Sequence, residues 1–131
     1  MITALYAGLL GLLIVFLALQ VALGRKRVKI GIGGHDHPQL AVLIRAHANA
    51  VENAPLTLIL LMMAEMNGLS IAAVHAAGGL LVLARVYHAH GFIRSHGTYS
   101  DGRYYGTLAN WLLIVALAIF NIAMVASKAI A

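Results

Sequence analysis

The chain has 131 residues, 62% of them hydrophobic and only 10% charged, and it contains no cysteine. So apolar a composition excludes an ordinary soluble domain of this size and fits a small integral membrane protein, while the missing cysteine excludes disulfides and thiolate ligands, so that any sulfur nucleophile must arrive with a substrate. The formal net charge of +5 does not point to nucleic acid: much of it sits in Arg25-Lys26-Arg27-Val28-Lys29, where basic residues after an apolar run report membrane topology, and no segment resembles a nucleic-acid-binding motif.

Residues 3–23 carry no charge and would be about 31 Å long as a helix, the thickness of a bilayer's hydrocarbon core, which predicts the first span. The positive charges follow this run instead of preceding it, against a cleaved signal peptide. Gly24 to Pro38 reads as a loop whose glycines lack any phosphate-binding pattern. Within it, His35-Asp36-His37-Pro38 offers two readings, half a metal site or a capped helix entrance, and Asp near Pro favours the entrance.

A second helix is predicted over 39–66, polar in its first half and apolar from Ala54 to Ala64. Pro55 removes one backbone hydrogen bond and is expected to bend it. Asn67-Gly68 ends this helix, and a third span follows over 71–92, where Gly78-Gly79 permits close helix approach. The fourth is predicted over 105–126, with Asn110 and Asn121 as interhelical hydrogen-bond donors. Tyr99, Tyr104, Tyr105 and Trp111 form an aromatic group of the kind found at membrane interfaces.

The expected architecture is therefore an all-α membrane protein, a four-transmembrane-helix bundle with residues 1–131 forming one domain. The basic residues fall in the first and third loops, which places those loops in the cytoplasm and both termini on the non-cytoplasmic side. Lys128 alone opposes this orientation. With no visible targeting or retention signal, a bacterial inner membrane is the expected location and an endoplasmic-reticulum membrane the alternative.

Inside this apolar frame lies an unusual stretch, Arg45-Ala-His47-Ala-Asn49-Ala-Val-Glu52-Asn53. At helical periodicity Arg45, Asn49 and Glu52 fall within about 60° of one another, on one stripe, with His47 nearly opposite. An ionised group at mid-membrane costs about 3 kcal/mol unless paired or hydrated, so the stripe needs a partner surface. Arg85, His88 and Phe92 form a similar stripe at the same depth of the third span. Two arginines against one glutamate leave a positive surplus, suited to an anionic ligand bearing carboxylates. The alternative is a salt-bridge network that fixes helix register, although Arg45 and Glu52, seven residues apart, pair less readily than residues four apart. His47, His75 and His88 raise haem as a further possibility, opposed by the placement of His75 and His88 near opposite membrane faces.

These residues also carry a resemblance. The stretch from Arg45 to Asn53, followed by Pro55, closely resembles the second-helix motif of the MAPEG family, the membrane-associated proteins in eicosanoid and glutathione metabolism. Ala84-Arg85-Val86-Tyr87-His88 resembles the third-helix end of its microsomal glutathione transferases, and the likeness covers the whole four-span layout. Asn53 is similar to the transferase branch, since leukotriene synthases place tyrosine after the glutamate.

The resemblance implies a homotrimer surrounded by membrane lipid, with glutathione bound as co-substrate between subunits on the cytoplasmic side and no metal. It implies that Arg45 and Asn49 hold glutathione carboxylate and backbone groups. Glu52 would receive its amino group, Arg85 and Arg25 would add charge, and His88 would assist. The thiolate would then attack a hydrophobic second substrate, either as a transferase or as a peroxidase. A non-catalytic lipid-binding or scaffold protein of the same fold is the other implied possibility. Two departures stand out: Phe92 occupies a position where family enzymes commonly have tyrosine, and Tyr99 aligns with the arginine that activates the thiol in leukotriene synthases. Arg94 and Arg103 are therefore the candidates for that catalytic role.

Overall fold

A computed structural model describes residues 1–34 and 36–130, the last without its side chain. Its four helices are α1 (Thr3–Val28), α2 (Pro38–Met66), α3 (Ile71–Arg94) and α4 (Asp101–Ile130). Helices α1, α3 and α4 are long and apolar enough to cross a membrane; α2 has the length but carries the polar stripe. The protein is an integral membrane protein built as a helical bundle.

Two helix ends differ from the sequence expectation. Helix α1 continues through Arg25, Lys26 and Arg27 to Val28, because cations in a last turn face the negative end of the helix dipole. Lys29 then closes it in the left-handed conformation, its N–H and that of Ile30 both reaching the Arg25 carbonyl. Helix α4 starts at Asp101, an acidic residue suited to a first turn, and the Ser100 hydroxyl oxygen accepts the Arg103 N–H at 3.3 Å.

The entrance to α2 corrects a second expectation. Pro38 occupies the first turn as foreseen, but the helix starts after His37 with no side-chain cap, so Asp36 does not act as one. Proline explains this, since it brings no N–H that needs a partner and its φ is already helical. The half-site reading of this segment falls partly on His35, outside the described residues. Pro55 lies inside α2, which is helical on both sides of it. Asn53 Nδ2 donates to the Asn49 carbonyl and Thr57 Oγ1 to the Asn53 carbonyl around that position.

Helix α1 packs on α2 and α3, and α4 packs on α3 and α2, while among the described residues the backbones of α1 and α4 do not approach closely. The central α2–α3 pair is thus flanked on opposite sides. The core runs between them in layers, with Leu61, Ala64, Val74 and Leu117 in one, Leu10, Ala54, Leu81 and Leu113 in the next, and Leu17, Ala50 and Ala89 in the third. Large apolar side chains such as Leu12, Leu83, Leu112, Ile119 and Ile122 point outward, as lipid-facing surfaces require.

Helices α3 and α4 approach closely because of three glycines. A Cβ on Gly106 would lie 2.6 Å from the Ala84 carbonyl oxygen and 2.8 Å from His88 Cβ, and Gly91 and Gly102 leave equally little room between them. Gly78 plays the expected role elsewhere, lying flat under the Tyr6 ring, whereas Gly79 faces open space.

The α1–α2 and α3–α4 connections lie at one end of the bundle, here called the basic end. At the other, the Glu65 carboxylate accepts the N–H of Ile2 at 2.5 Å and that of Thr3 at 2.9 Å, together with the Thr3 hydroxyl. A side chain of α2 thereby caps the first turn of α1. Asn121 donates to the Leu60 carbonyl and accepts from Asn67, as its sequence position suggested. Asn110 acts as an acceptor instead: its Oδ1 shares the Thr57 hydroxyl hydrogen with the Asn53 carbonyl, at 3.2 Å, and among the described residues its own N–H₂ has no partner.

Candidate functional site: a cationic cleft at the basic end

Helical periodicity brings the two polar stripes together as their spacing anticipated. Arg85 on α3 is 2% exposed, and its guanidinium donates to Asn49 Oδ1 on α2 at 3.1 Å and to the Gly106 carbonyl on α4 at 2.5 Å. That carbonyl is within reach because Gly106 lets α4 ride against α3. Among the described residues Arg85 has no carboxylate partner, and its Nε–H is buried without any partner. A buried cation held by two neutral acceptors keeps its charge uncompensated, and the field acts on the space above it.

Above Arg85 opens a cleft of about 720 Å³ between α2, α3 and α4. Arg45 and Asn49 line it from α2, His88 and Phe92 from α3, Tyr99 from the loop before α4, and Arg103, Tyr104, Thr107, Leu108 and Trp111 from α4. The lining contains two arginines and a histidine but no carboxylate. Its wall is layered: the His88 and Phe92 rings stack with centroids 5.9 Å apart, and the Arg103 guanidinium lies 5.0 Å from the Phe92 centroid while donating to the Gly97 carbonyl. Gly97 can offer that carbonyl because the preceding chain turns through two positive-φ residues, His96 and Gly97 itself. Desolvation at the cleft rim and the neighbouring Asp101 carboxylate raise the pKa of Tyr99 above the ordinary phenol value.

Arg45 and Glu52 do pair across their two-turn spacing, at 3.6 Å, with both side chains more than half exposed. Such an exposed pair is weak and easily shared with a third charged group. Glu52 stands beside the cleft and does not line it.

The remaining candidates lie elsewhere. Arg25 turns into the α1–α2 loop and donates to the Gly31 carbonyl. Arg94 lines a separate groove between α1 and α3. Of the two arginines proposed to activate a thiol, only Arg103 therefore reaches the cleft within this chain.

Sequence reasoning treated Tyr99, Tyr104 and Trp111 as an interfacial belt and passed over Thr107 and Leu108. A signal was present, because Tyr104, Thr107, Leu108 and Trp111 recur at helical spacing on one face of α4. Gly102 and Gly106, four residues apart, likewise form a small-residue pair of the kind that seats one membrane helix on another.

A helical bundle with lipid-facing outer walls and a cationic, partly aromatic cleft at one end defines a class of small integral membrane proteins. Comparison with known proteins makes the assignment specific. The MAPEG family model matches residues 3–123, and the chain belongs to the MAPEG family. It is 32% identical over 122 residues to inner membrane protein YecN of Escherichia coli strain K12, covering 93% of this chain and 91% of that protein. The same similarity holds for YecN of E. coli strain O6:H1.

Proposed function

We propose that the protein is a membrane-bound glutathione transferase of the bacterial inner membrane, with both termini on the non-cytoplasmic side, that works as a homotrimer. The observation that carries this reading is the carboxylate-free cleft, in which Arg45, Arg103 and His88 surround a volume bounded by Leu108 and Trp111. Glutathione has two carboxylates, one amino group and a thiol, so it presents a net negative charge to a cationic cleft. In this reading Arg45 and Asn49 take a carboxylate and the adjoining amide, and Glu52 receives the amino group while remaining paired with Arg45.

Arg103 is the group in this chain that can stabilise the thiolate and lower the thiol pKa. The thiolate then attacks an electrophilic carbon of a lipophilic substrate entering from the bilayer past Trp111 and Leu108. A carbon–sulfur bond forms, and the leaving group departs or the adjacent carbon takes a proton. With a lipid hydroperoxide the same thiolate attacks the terminal oxygen: a sulfur–oxygen bond forms as the O–O bond breaks, the lipid alkoxide leaves and takes a proton, and a second glutathione thiol then displaces water from the sulfenic acid to give glutathione disulfide. Arg25 and Arg94, being outside the cleft of their own chain, would contribute only to a neighbouring subunit's site, and the exposed Arg45–Glu52 edge is a surface such a neighbour could cover.

One observation favours a non-catalytic lipid-binding or scaffold role of the same fold. Arg103 is already engaged by the Phe92 ring and the Gly97 carbonyl, and Phe92 supplies no phenol donor. Calorimetric titration of glutathione into detergent-solubilised protein tests the binding, with Glu52→Gln expected to weaken it by about tenfold, or 1.4 kcal/mol. Absence of saturable binding, or full affinity in both Glu52→Gln and Arg45→Gln, would remove the glutathione reading. Turnover of lipophilic electrophiles by the wild type then separates enzyme from scaffold.

A further inference from the structure

A second groove lies between α1 and α3. It measures about 390 Å³ and lies away from the cleft, on a face that α4 does not reach. Its α1 wall is Leu13, Phe16, Leu17 and Gln20, and its α3 wall is Val86, Ala89, His90, Ile93 and Arg94. Both sets repeat at helical spacing, so each is one continuous stripe. Helices α1 and α3 run in the same direction through the bundle, and both stripes change character the same way along it. At depth they are aliphatic and aromatic, and towards the basic end they finish in Gln20, His90 and Arg94.

The floor is low because Ala89, packed against Leu17 and Ala50, has only a methyl group where larger side chains would fill the space. Leu13 to Gln20 spans about 10 Å of helix, so the groove runs from inside the hydrocarbon layer to its boundary. Arg94 is exposed there and forms no ion pair among the described residues. The basic last turn of α1, Arg25 to Arg27, continues one to two turns beyond Gln20 on the same side of the membrane.

We infer that this groove binds one anionic phospholipid, its acyl chain between Leu13, Phe16 and Val86 and its headgroup phosphate on Arg94, with Gln20 and His90 as hydrogen-bonding partners. The polarity gradient fits a lipid and no other amphiphile orientation: a chain at depth and a negative headgroup at the boundary. A juxtamembrane cation without a partner inside the protein is also what attracts anionic headgroups. The inference uses none of the residues that line the cleft of its own chain, and it assigns Arg94 to the lipid headgroup in place of a contribution to a neighbouring subunit's cleft.

The test is native mass spectrometry of the full chain in mild detergent, titrated in parallel with phosphatidylglycerol and with phosphatidylcholine of identical acyl chains. One phosphatidylglycerol per chain is expected, with an affinity about fivefold above that of phosphatidylcholine, the effect of one cation at the headgroup level. Arg94→Gln should reduce phosphatidylglycerol to the phosphatidylcholine level. Val86→Trp, which fills the groove from its exposed rim without touching the core, should displace both lipids. Equal binding of the two lipids by the wild type, an unchanged preference in Arg94→Gln, or retention of lipid in Val86→Trp would each overturn the proposal. Displacement of the lipid by glycerol phosphate alone would overturn the lipid as its source. A loss of subunits from the assembly in Val86→Trp would mean that a second copy of the chain fills the groove, and would overturn it as well.

Discussion

Gly106→Ala tests the contact on which the cleft is built. The new methyl would sit 2.6 Å from the Ala84 carbonyl oxygen and 2.8 Å from His88 Cβ, and one of these is backbone that cannot swing aside. Helices α3 and α4 must separate by nearly an ångström to restore van der Waals contact. Overpacking of this kind costs about 1–3 kcal/mol. The separation also stretches the 2.5 Å bond from Arg85 to the Gly106 carbonyl, and a hydrogen bond to a charged group contributes about 1.5–3 kcal/mol. Alanine's better helix propensity returns about 1 kcal/mol, leaving a net loss of about 1.5–5 kcal/mol. Gly8→Ala and Gly79→Ala are matched controls, since nothing lies within 4 Å of either added Cβ. Unfolding by SDS titration in mixed micelles, followed by the fluorescence of Trp111 on the cleft wall, reads the difference. If Gly106→Ala unfolds at the same SDS fraction as the two controls, the close α3–α4 contact and the seating of Arg85 described above are wrong.

Three further outcomes follow from particular contacts. Thr57→Val should cost about 1–3 kcal/mol in the same titration, because the buried Asn110 amide then keeps no side-chain partner among the described residues, and adding Asn110→Leu should recover much of the loss; a double variant no better than the single one would contradict this. Glu65→Gln removes the carboxylate that caps α1, so hydrogen exchange at the Ile2 and Thr3 amides should accelerate while amides near Leu17 keep their protection. Uniform acceleration along α1 would argue against a local cap. Phe92→Leu takes away the ring that holds Arg103, and glutathione affinity should change with it, whereas Arg94→Gln should leave that affinity within about twofold in detergent-dispersed single chains.

The sequence made the four helices and both polar stripes legible for the same reason: membrane helices must satisfy their own backbone, so side-chain chemistry follows helical periodicity with little interference. Arg45, Asn49, Arg85 and His88 converge in space because two angles and one membrane depth already determine where they point. What periodicity could not supply was the contribution of α4. The side of the bundle on which the fourth helix lies depends on Gly91, Gly102 and Gly106, which act through missing atoms. Tyr104, Thr107, Leu108 and Trp111 therefore looked like a belt until α4 was docked. Helix ends were missed for another reason. Arg25 to Arg27 read as a loop by polarity, yet they are favourable inside a final turn, where charge and helix dipole oppose each other. The pairing of Arg45 with Glu52 was underestimated because rules for isolated helices assume rigid reach, and two long side chains bridge two turns by lying along the surface.

Helix α3 is read from both sides. Its successive residues alternate between two chemical compartments: His88 and Phe92 look into the cleft, His90 and Arg94 into the groove, and Ala89 between them is packed against α1 and α2. Because the backbones of α1 and α4 do not approach closely among the described residues, this helix and its neighbour α2 are the main physical link between the two compartments. A small roll of α3 about its own axis would open one space at the expense of the other. Any ligand pair whose binding rolled α3 in opposite senses would be linked by a single reciprocal factor.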